Sequence, residues 1–157
     1  MKARVQFGII IILLVLSSSL ILAQNANPDN PLFSLKRAQE SVFLTLKGNP
    51  RDKVDYMTHL LDVRLKEFES LTKAGGDHDM WSSSLRYSTF AGQITDLVIA
   101  NNLSEMTGPI KKQFETQKTK LNELYVAFPK NTDNGEWKYI LDAINYLNFN
   151  LDKLNKI

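Results

Sequence analysis

The sequence predicts an all-α protein: an N-terminal membrane or signal helix followed by an antiparallel bundle of four to five helices. Three observations carry this prediction. A positively charged start runs into an apolar stretch. Five later segments place apolar residues at helical spacing, and no segment alternates with the period of a strand. Asparagine–proline pairs and glycines punctuate the segment ends, as helix starts and stops require.

Lys2 and Arg4 precede an apolar run from Phe7 to Leu16 that only Gly8 interrupts. Ser17, Ser18 and Ser19 break it before Leu20, Ile21, Leu22 and Ala23 resume. A positive flank, an apolar core and a small residue are the parts of an export signal. The charged end stays cytoplasmic, which places the remainder of the chain on the extracytoplasmic side. Residues 1–23 therefore read as a signal peptide or membrane anchor, with residues 7–23 meeting the membrane. Ala23 offers a cleavage point, although Ile21 at the −3 position is bulkier than such sites prefer. Left uncleaved, residues 7–23 are just long enough to span a bilayer, which needs at least ~17 apolar residues. Both fates fit the sequence. Residues 24–30 are polar and turn-rich and read as a linker, and residues 31–157 as the helical bundle domain.

The first bundle segment opens with Asn30 as cap and Pro31 at the first helical position, and runs to Leu46 before Gly48. Leu32, Leu35, Val42, Phe43 and Leu46 are its apolar positions. The second repeats the device with Asn49 and Pro50. Val54, Met57, Leu61, Leu65, Phe68 and Leu71 step along one face until Gly75 and Gly76 stop it. The third starts near Asp79, with Trp81, Leu85, Ile94, Leu97 and Val98 as its stripe and Asn101–Asn102 at its end. The fourth is expected to start at Thr107 with Pro109 just inside; Ile110, Phe114, Leu121, Leu124, Tyr125 and Phe128 face one way. The fifth begins near Asn134–Glu136 and carries Trp137, Ile140, Leu141, Ile144, Leu147, Leu151 and Leu154. Short connections between long helices favour antiparallel neighbours.

Composition narrows the function classes. The formal charge is +2, but Lys2 and Arg4 account for it, so the remainder balances 17 acidic residues with as many basic ones. A neutral domain lacks the lysine and arginine excess that nucleic-acid binding draws on. The absence of cysteine excludes disulfides, thiolate chemistry and cysteine-based zinc sites.

The polar residues give few leads to chemistry. Asp55, His59 and Asp62 share one face of the second helix at spacings that could hold a divalent ion weakly, although a solvated polar face explains them as well. His78 between Asp77 and Asp79 reads as a helix stop followed by a cap. The segment from Asn131 to Gly135 hints at a calcium loop, but Lys130 and Thr132 occupy the positions where carboxylates are needed. Ser82, Ser83 and Ser84 have no base in register. No phosphate-binding glycine loop or di-iron spacing is present. Trp81, Tyr87 and Phe90 suit a core better than a binding surface. Asn145, Asn148, Asn150 and Asn155 decorate the fifth helix as a weakly charged face. No catalytic, cofactor or metal residues are assigned.

Pro28-Asp29-Asn30-Pro31-Leu32-Phe33, followed by Leu35-Lys36-Arg37 and Glu40, resembles the start of an uncharacterised bacterial domain family. Its members typically read Pro-Asp-Ser-Pro-Leu-Tyr-x-Leu-Lys-Arg soon after a membrane segment. A second helix then opens at a proline and carries Arg-Leu-x-Glu, which Pro50, Arg64, Leu65 and Glu67 resemble. The likeness covers residues 28–71. Asn30 stands in place of the usual serine and Phe33 in place of tyrosine. The resemblance implies an extracytoplasmic helical domain, sometimes attached to envelope regulators, and supplies no catalytic residues. In physical terms Asn30 caps, Leu32 and Leu35 pack, and Lys36 and Arg37 face water or Glu40.

The function these readings favour is a non-enzymatic, membrane-tethered interaction domain that binds an envelope protein through a bundle face, without nucleic acid or cofactor. An envelope-stress chaperone or sensor for unfolded exported proteins is the alternative, favoured if a large apolar surface is left open.

Overall fold

A computed structural model of the chain describes residues 18–24, 26–28, 30–74, 80–130 and 135–157. Most of the expected membrane segment, the turn around His78 and residues 131–134 of the rejected calcium loop lie outside the described residues. Among the described residues the regular structure is helical, with no strand. A helical run at 18–23 precedes α1 (Phe33–Leu46), α2 (Pro50–Lys73), α3 (Met80–Ala100), α4 (Ser104–Ala127) and α5 (Trp137–Leu154). No helix among the described residues is long and apolar enough to cross a membrane. The chain divides into two compact units, residues 1–46 and 47–157.

In the first unit Asn30 caps the chain as expected, but Pro31 and Leu32 form a turn and the helix proper starts at Phe33, two residues later than the sequence suggested. Asn30 Oδ1 accepts from the Leu32 N–H at 2.8 Å, and the Asn30 carbonyl accepts from the Phe33 N–H. Arg37 pairs with Glu40 at 3.0 Å. Lys36, expected in water, is buried instead. Its ammonium donates to the Ala26 carbonyl at 3.1 Å and lies 5.8 Å from the Phe33 ring centroid. A long aliphatic stem can lie on apolar surface while its charged end finds an acceptor, which the spacing of residues does not reveal. Val42, Phe43 and Leu46, expected to pack, are exposed.

The second unit holds the main core. Asn49 Oδ1 accepts from the Arg51 N–H at 2.9 Å, and Pro50 opens α2, where its missing N–H costs nothing. All six expected apolar positions of α2 are buried, each full burial of a leucine or phenylalanine contributing ~1.5–3 kcal/mol. α3 ends where expected. Asn102 adopts φ 53°, the Leu103 N–H donates to the Val98 carbonyl and the Asn102 N–H to that of Ile99. These paired bonds satisfy carbonyls that the helix end would leave open.

Two expectations need correction. α4 starts at Ser104 rather than Thr107, so Pro109 lies inside the helix and gives no N–H to the Glu105 carbonyl. The added turn buries Met106. On α3, Trp81 and Leu85 are exposed, and the buried face is instead Met80, Ser83, Ser84, Tyr87, Ser88, Ala91, Ile94, Thr95 and Val98. α3 packs extensively against both α2 and α5. Small side chains at such crossings let helix axes approach closely, so serine and alanine take the positions that hydrophobicity alone would give to tryptophan and leucine.

Hydrogen bonds between helices fix the topology. Gln113 Nε2 donates to the Thr58 carbonyl and Gln117 Nε2 to Asp62, so a four-residue step along α4 matches one along α2, and the two run parallel. Ser84 Oγ donates to the Tyr139 carbonyl, and Lys153 pairs with Asp96, so α3 and α5 are likewise parallel. Tyr87 bonds Gln117 from the opposite side of the 101–103 connection, and both lie equally far from it, so α3 and α4 are antiparallel. The result is an up-down-up-down four-helix arrangement. α2–α3, α3–α5 and α4–α5 pack extensively, while α2 and α4 meet only briefly.

Candidate functional site

Because α2 and α4 are held together at few points, a groove of ≈480 Å³ opens between them. Arg51, Asp55, Thr58, His59 and Asp62 line it from α2, and Glu105, Met106, Pro109, Ile110 and Gln113 from α4. The sequence-derived trio of Asp55, His59 and Asp62 does share this wall. Among the described residues, however, no group of three or more histidine, cysteine, aspartate or glutamate side chains is placed to hold a metal ion. Helical spacing aligned the three along the wall without converging them on a point, and α4 adds only Glu105 as a further anionic side chain on the groove.

Asp62 is nevertheless held in a defined way. Gln117 Nε2 donates to its Oδ1 at 2.6 Å, and Gln117 Oε1 accepts from the Tyr87 hydroxyl at 2.6 Å. Tyr87 and Gln117 are both buried, so a polar chain runs from the core of the unit to a carboxylate on the groove wall. Burial pushes the Tyr87 hydroxyl well above the usual tyrosine range, and the nearby Asp62 charge adds to the effect. Arg51 lies 3.5 Å from Glu105 across the mouth of the groove. Gln117 could have been found from the sequence. It falls in register with Ile110, Phe114 and Leu121, where an apolar residue is expected and a buried polar one needs a partner. The contributions of Gln113 and Glu105 could not, because the α2–α4 register comes from tertiary packing.

A second groove, of ≈420 Å³, lies between α3 and α5. Trp81, Leu85 and Tyr146 are 61%, 52% and 52% exposed there, so three large side chains share one groove. Ser84, Ser88, Tyr139, Asp142 and Asn145 complete the lining. Ser84 donates to the Tyr139 carbonyl at 2.7 Å and Ser83 accepts from Arg86 at 3.2 Å, so these two serines have structural bonds. The three aromatic residues singled out from the sequence thus separate. Tyr87 is core, Trp81 is surface, and Phe90 is half-buried with the Arg64 guanidinium 5.5 Å from its ring centroid. The asparagines of α5 separate as well. Asn150 is buried and donates to the Tyr146 carbonyl, while Asn145, Asn148 and Asn155 are exposed.

Arg64 and Glu67, part of the pattern that suggested a family, are 1% and 2% exposed. Arg64 donates through one guanidinium nitrogen to both carboxylate oxygens of Glu67 at 2.7 Å. A buried pair of this kind is a costly feature that packing alone does not require.

Comparison with known proteins agrees with an uncharacterised family. Nothing matches the chain among curated proteins or solved structures. A family model described as a domain of unknown function, DUF5667, matches residues 25–131, from before α1 to beyond α4. That span holds both walls of the α2/α4 groove and the Arg64–Glu67 pair, and stops short of α5. The chain belongs to the family of domains of unknown function DUF5667.

Proposed function

We propose that the protein is a non-enzymatic, extracytoplasmic interaction module, held at the membrane through residues 7–23, that binds an envelope protein along the α3/α5 groove. The observation that supports this reading is the exposure of Trp81, Leu85 and Tyr146 together on one groove. Interface centres are enriched in aromatic side chains that fill or form pockets, and the few residues that dominate an interface, with Trp and Tyr prominent among them, cost at least about 2 kcal/mol of binding when truncated. The positive start at Lys2 and Arg4, followed by the apolar run to Ala23, supports the membrane tether and the orientation.

The test compares tagged full-length protein with Trp81→Ala and Tyr146→Ala variants in membrane extracts of the native host. A single dominant envelope protein, recovered with the wild type and lost with both variants, is the expected result. Recovery of the same protein by all three would refute the assignment of the groove. The envelope-stress alternative draws on Val42, Phe43 and Leu46, which are also exposed. It predicts many unrelated exported clients and suppression of client aggregation at equimolar ratio.

A further inference from the structure

We propose that the α2/α4 groove receives a lysine or arginine side chain from a basic peptide segment of a partner protein. Three independent features of the groove fit one such occupant. The first is charge. Asp55 and Asp62 share the α2 wall with Arg51 and His59, Glu105 lies on the α4 wall, and Arg51 is already engaged with Glu105. Among the described residues neither Asp55 nor Asp62 makes an ion pair, and the Asp62 carboxylate accepts a hydrogen bond from Gln117. The wall is therefore anionic wherever it is not self-neutralised, and a cation placed beside either carboxylate gains from its charge.

The second feature is the support behind Asp62. Gln117 and Tyr87 are hydrogen-bonded polar side chains at core positions, where leucine and phenylalanine would pack with no desolvation penalty. What their chain achieves is to fix one oxygen of a surface carboxylate. Orienting an acceptor before a ligand arrives lowers the entropic cost of binding it. The third is the apolar part of the groove. Met106, Pro109 and Ile110 offer a surface for the methylene stem of a long basic side chain, the usual way such residues are accommodated. An anionic phospholipid headgroup is disfavoured by sign.

This proposal is independent of the α3/α5 groove, and the experiment separates the two. The full-length protein is titrated into fluorescein-labelled (Arg-Leu)3, with (Gln-Leu)3 and (Glu-Leu)3 as controls, and anisotropy is read at low and physiological ionic strength. The arginine peptide is expected to bind about tenfold more tightly than the glutamine one, with the advantage shrinking as salt rises. Asp55→Asn combined with Asp62→Asn removes both charges at nearly unchanged shape and should abolish that advantage. Gln117→Leu, which leaves Asp62 charged but unsupported, should reduce it several-fold. Trp81→Ala should leave it intact. Helical circular dichroism confirms that each variant is folded. Equal binding of the arginine and glutamine peptides, or an unchanged advantage in the double asparagine variant, overturns the proposal. So does loss of peptide binding in millimolar calcium or magnesium with no loss at matched sodium ionic strength, since the groove would then be an ion site.

Discussion

Replacing Glu67 by glutamine removes one charge from a pair that is almost wholly buried, and the consequence can be worked from the contacts. Arg64 reaches both carboxylate oxygens at 2.7 Å from a side chain 1% exposed. Glutamine keeps the volume and one acceptor but removes the negative charge beside a guanidinium that is almost wholly buried. Breaking a buried pair from one side typically costs 3–5 kcal/mol. Against a total stability on the order of 5–15 kcal/mol, that lowers the melting temperature by on the order of 10–20 °C. Removing both charges together is a different perturbation. Arg64→Met with Glu67→Leu leaves nothing to desolvate, and such replacements are often neutral or stabilising by about 1–4 kcal/mol. The loss of the Arg64–Phe90 cation–π contact trims that gain by about 0.5–2 kcal/mol. The assay is urea unfolding of Glu67→Gln and of the wild type, Arg64→Met, Glu67→Leu and their double, the last four closing a double-mutant cycle. Severe single variants and a near-wild-type double are expected. A Glu67→Gln protein within about 1 kcal/mol of the wild type would refute the reasoning.

Other consequences follow from the same structure. Tyr87 has a folded-state pKa raised above its ordinary value of 10.0, so its contribution is fully present below about pH 10. As pH rises further, the unfolded chain loses its tyrosine proton first and stability falls by up to ~1.4 kcal/mol per pH unit from this group. Tyr87→Phe should remove that part of the alkaline loss, measured by urea unfolding between pH 8 and 11, and an unchanged pH slope would count against it. Asn102 sits at φ 53° at the end of α3, a conformation that glycine adopts freely and branched side chains resist. Asn102→Gly should be neutral or stabilising by up to ~1 kcal/mol and Asn102→Val destabilising by ~1–2 kcal/mol, both read from thermal melts. Trp81→Ala, at a position 61% exposed, should change stability by less than about 0.5 kcal/mol, so any loss of partner binding cannot be blamed on unfolding.

The helices were legible in the sequence wherever a local rule decides them. Asn49–Pro50 opens α2 and Asn101–Asn102 closes α3 because caps depend on adjacent residues only. The α2 stripe from Val54 to Leu71 was also readable, since a long helix with one buried face shows its period plainly. The failures share a cause. α3 is packed on two sides, by α2 and α5, and the first half of its buried face carries Ser83, Ser84, Tyr87 and Ser88 before Ile94 and Val98 resume the apolar stripe, so a search for large apolar residues selected the exposed Trp81 and Leu85 there instead. Lys36, Arg64, Glu67, Gln117 and Asn150 are polar residues buried in helices. Each has a specific polar partner: Arg64–Glu67 and Asn150–Tyr146 are pairs within one helix, whereas the Ala26 carbonyl that holds Lys36, the Asp62 carboxylate that holds Gln117 and the Phe90 ring beside Arg64 are brought up by tertiary packing, which spacing does not encode. The groove depends most on such tertiary facts. Asp55, His59 and Asp62 could be placed on one face, but the opposite wall and the Tyr87–Gln117 support exist only through the parallel register of α2 with α4.

The central claim, that the α3/α5 groove is where a partner binds, is tested most directly by site-specific photo-crosslinking in the native host. A photoreactive amino acid is placed at Leu85 in the groove and, as a control, at the exposed Val126 on α4. The account predicts one dominant crosslinked envelope protein from position 85 and none from position 126, with membrane-fraction mass spectrometry recovering peptides that include residues 7–23. The absence of a specific adduct from position 85, or the same adduct from both positions, would contradict it.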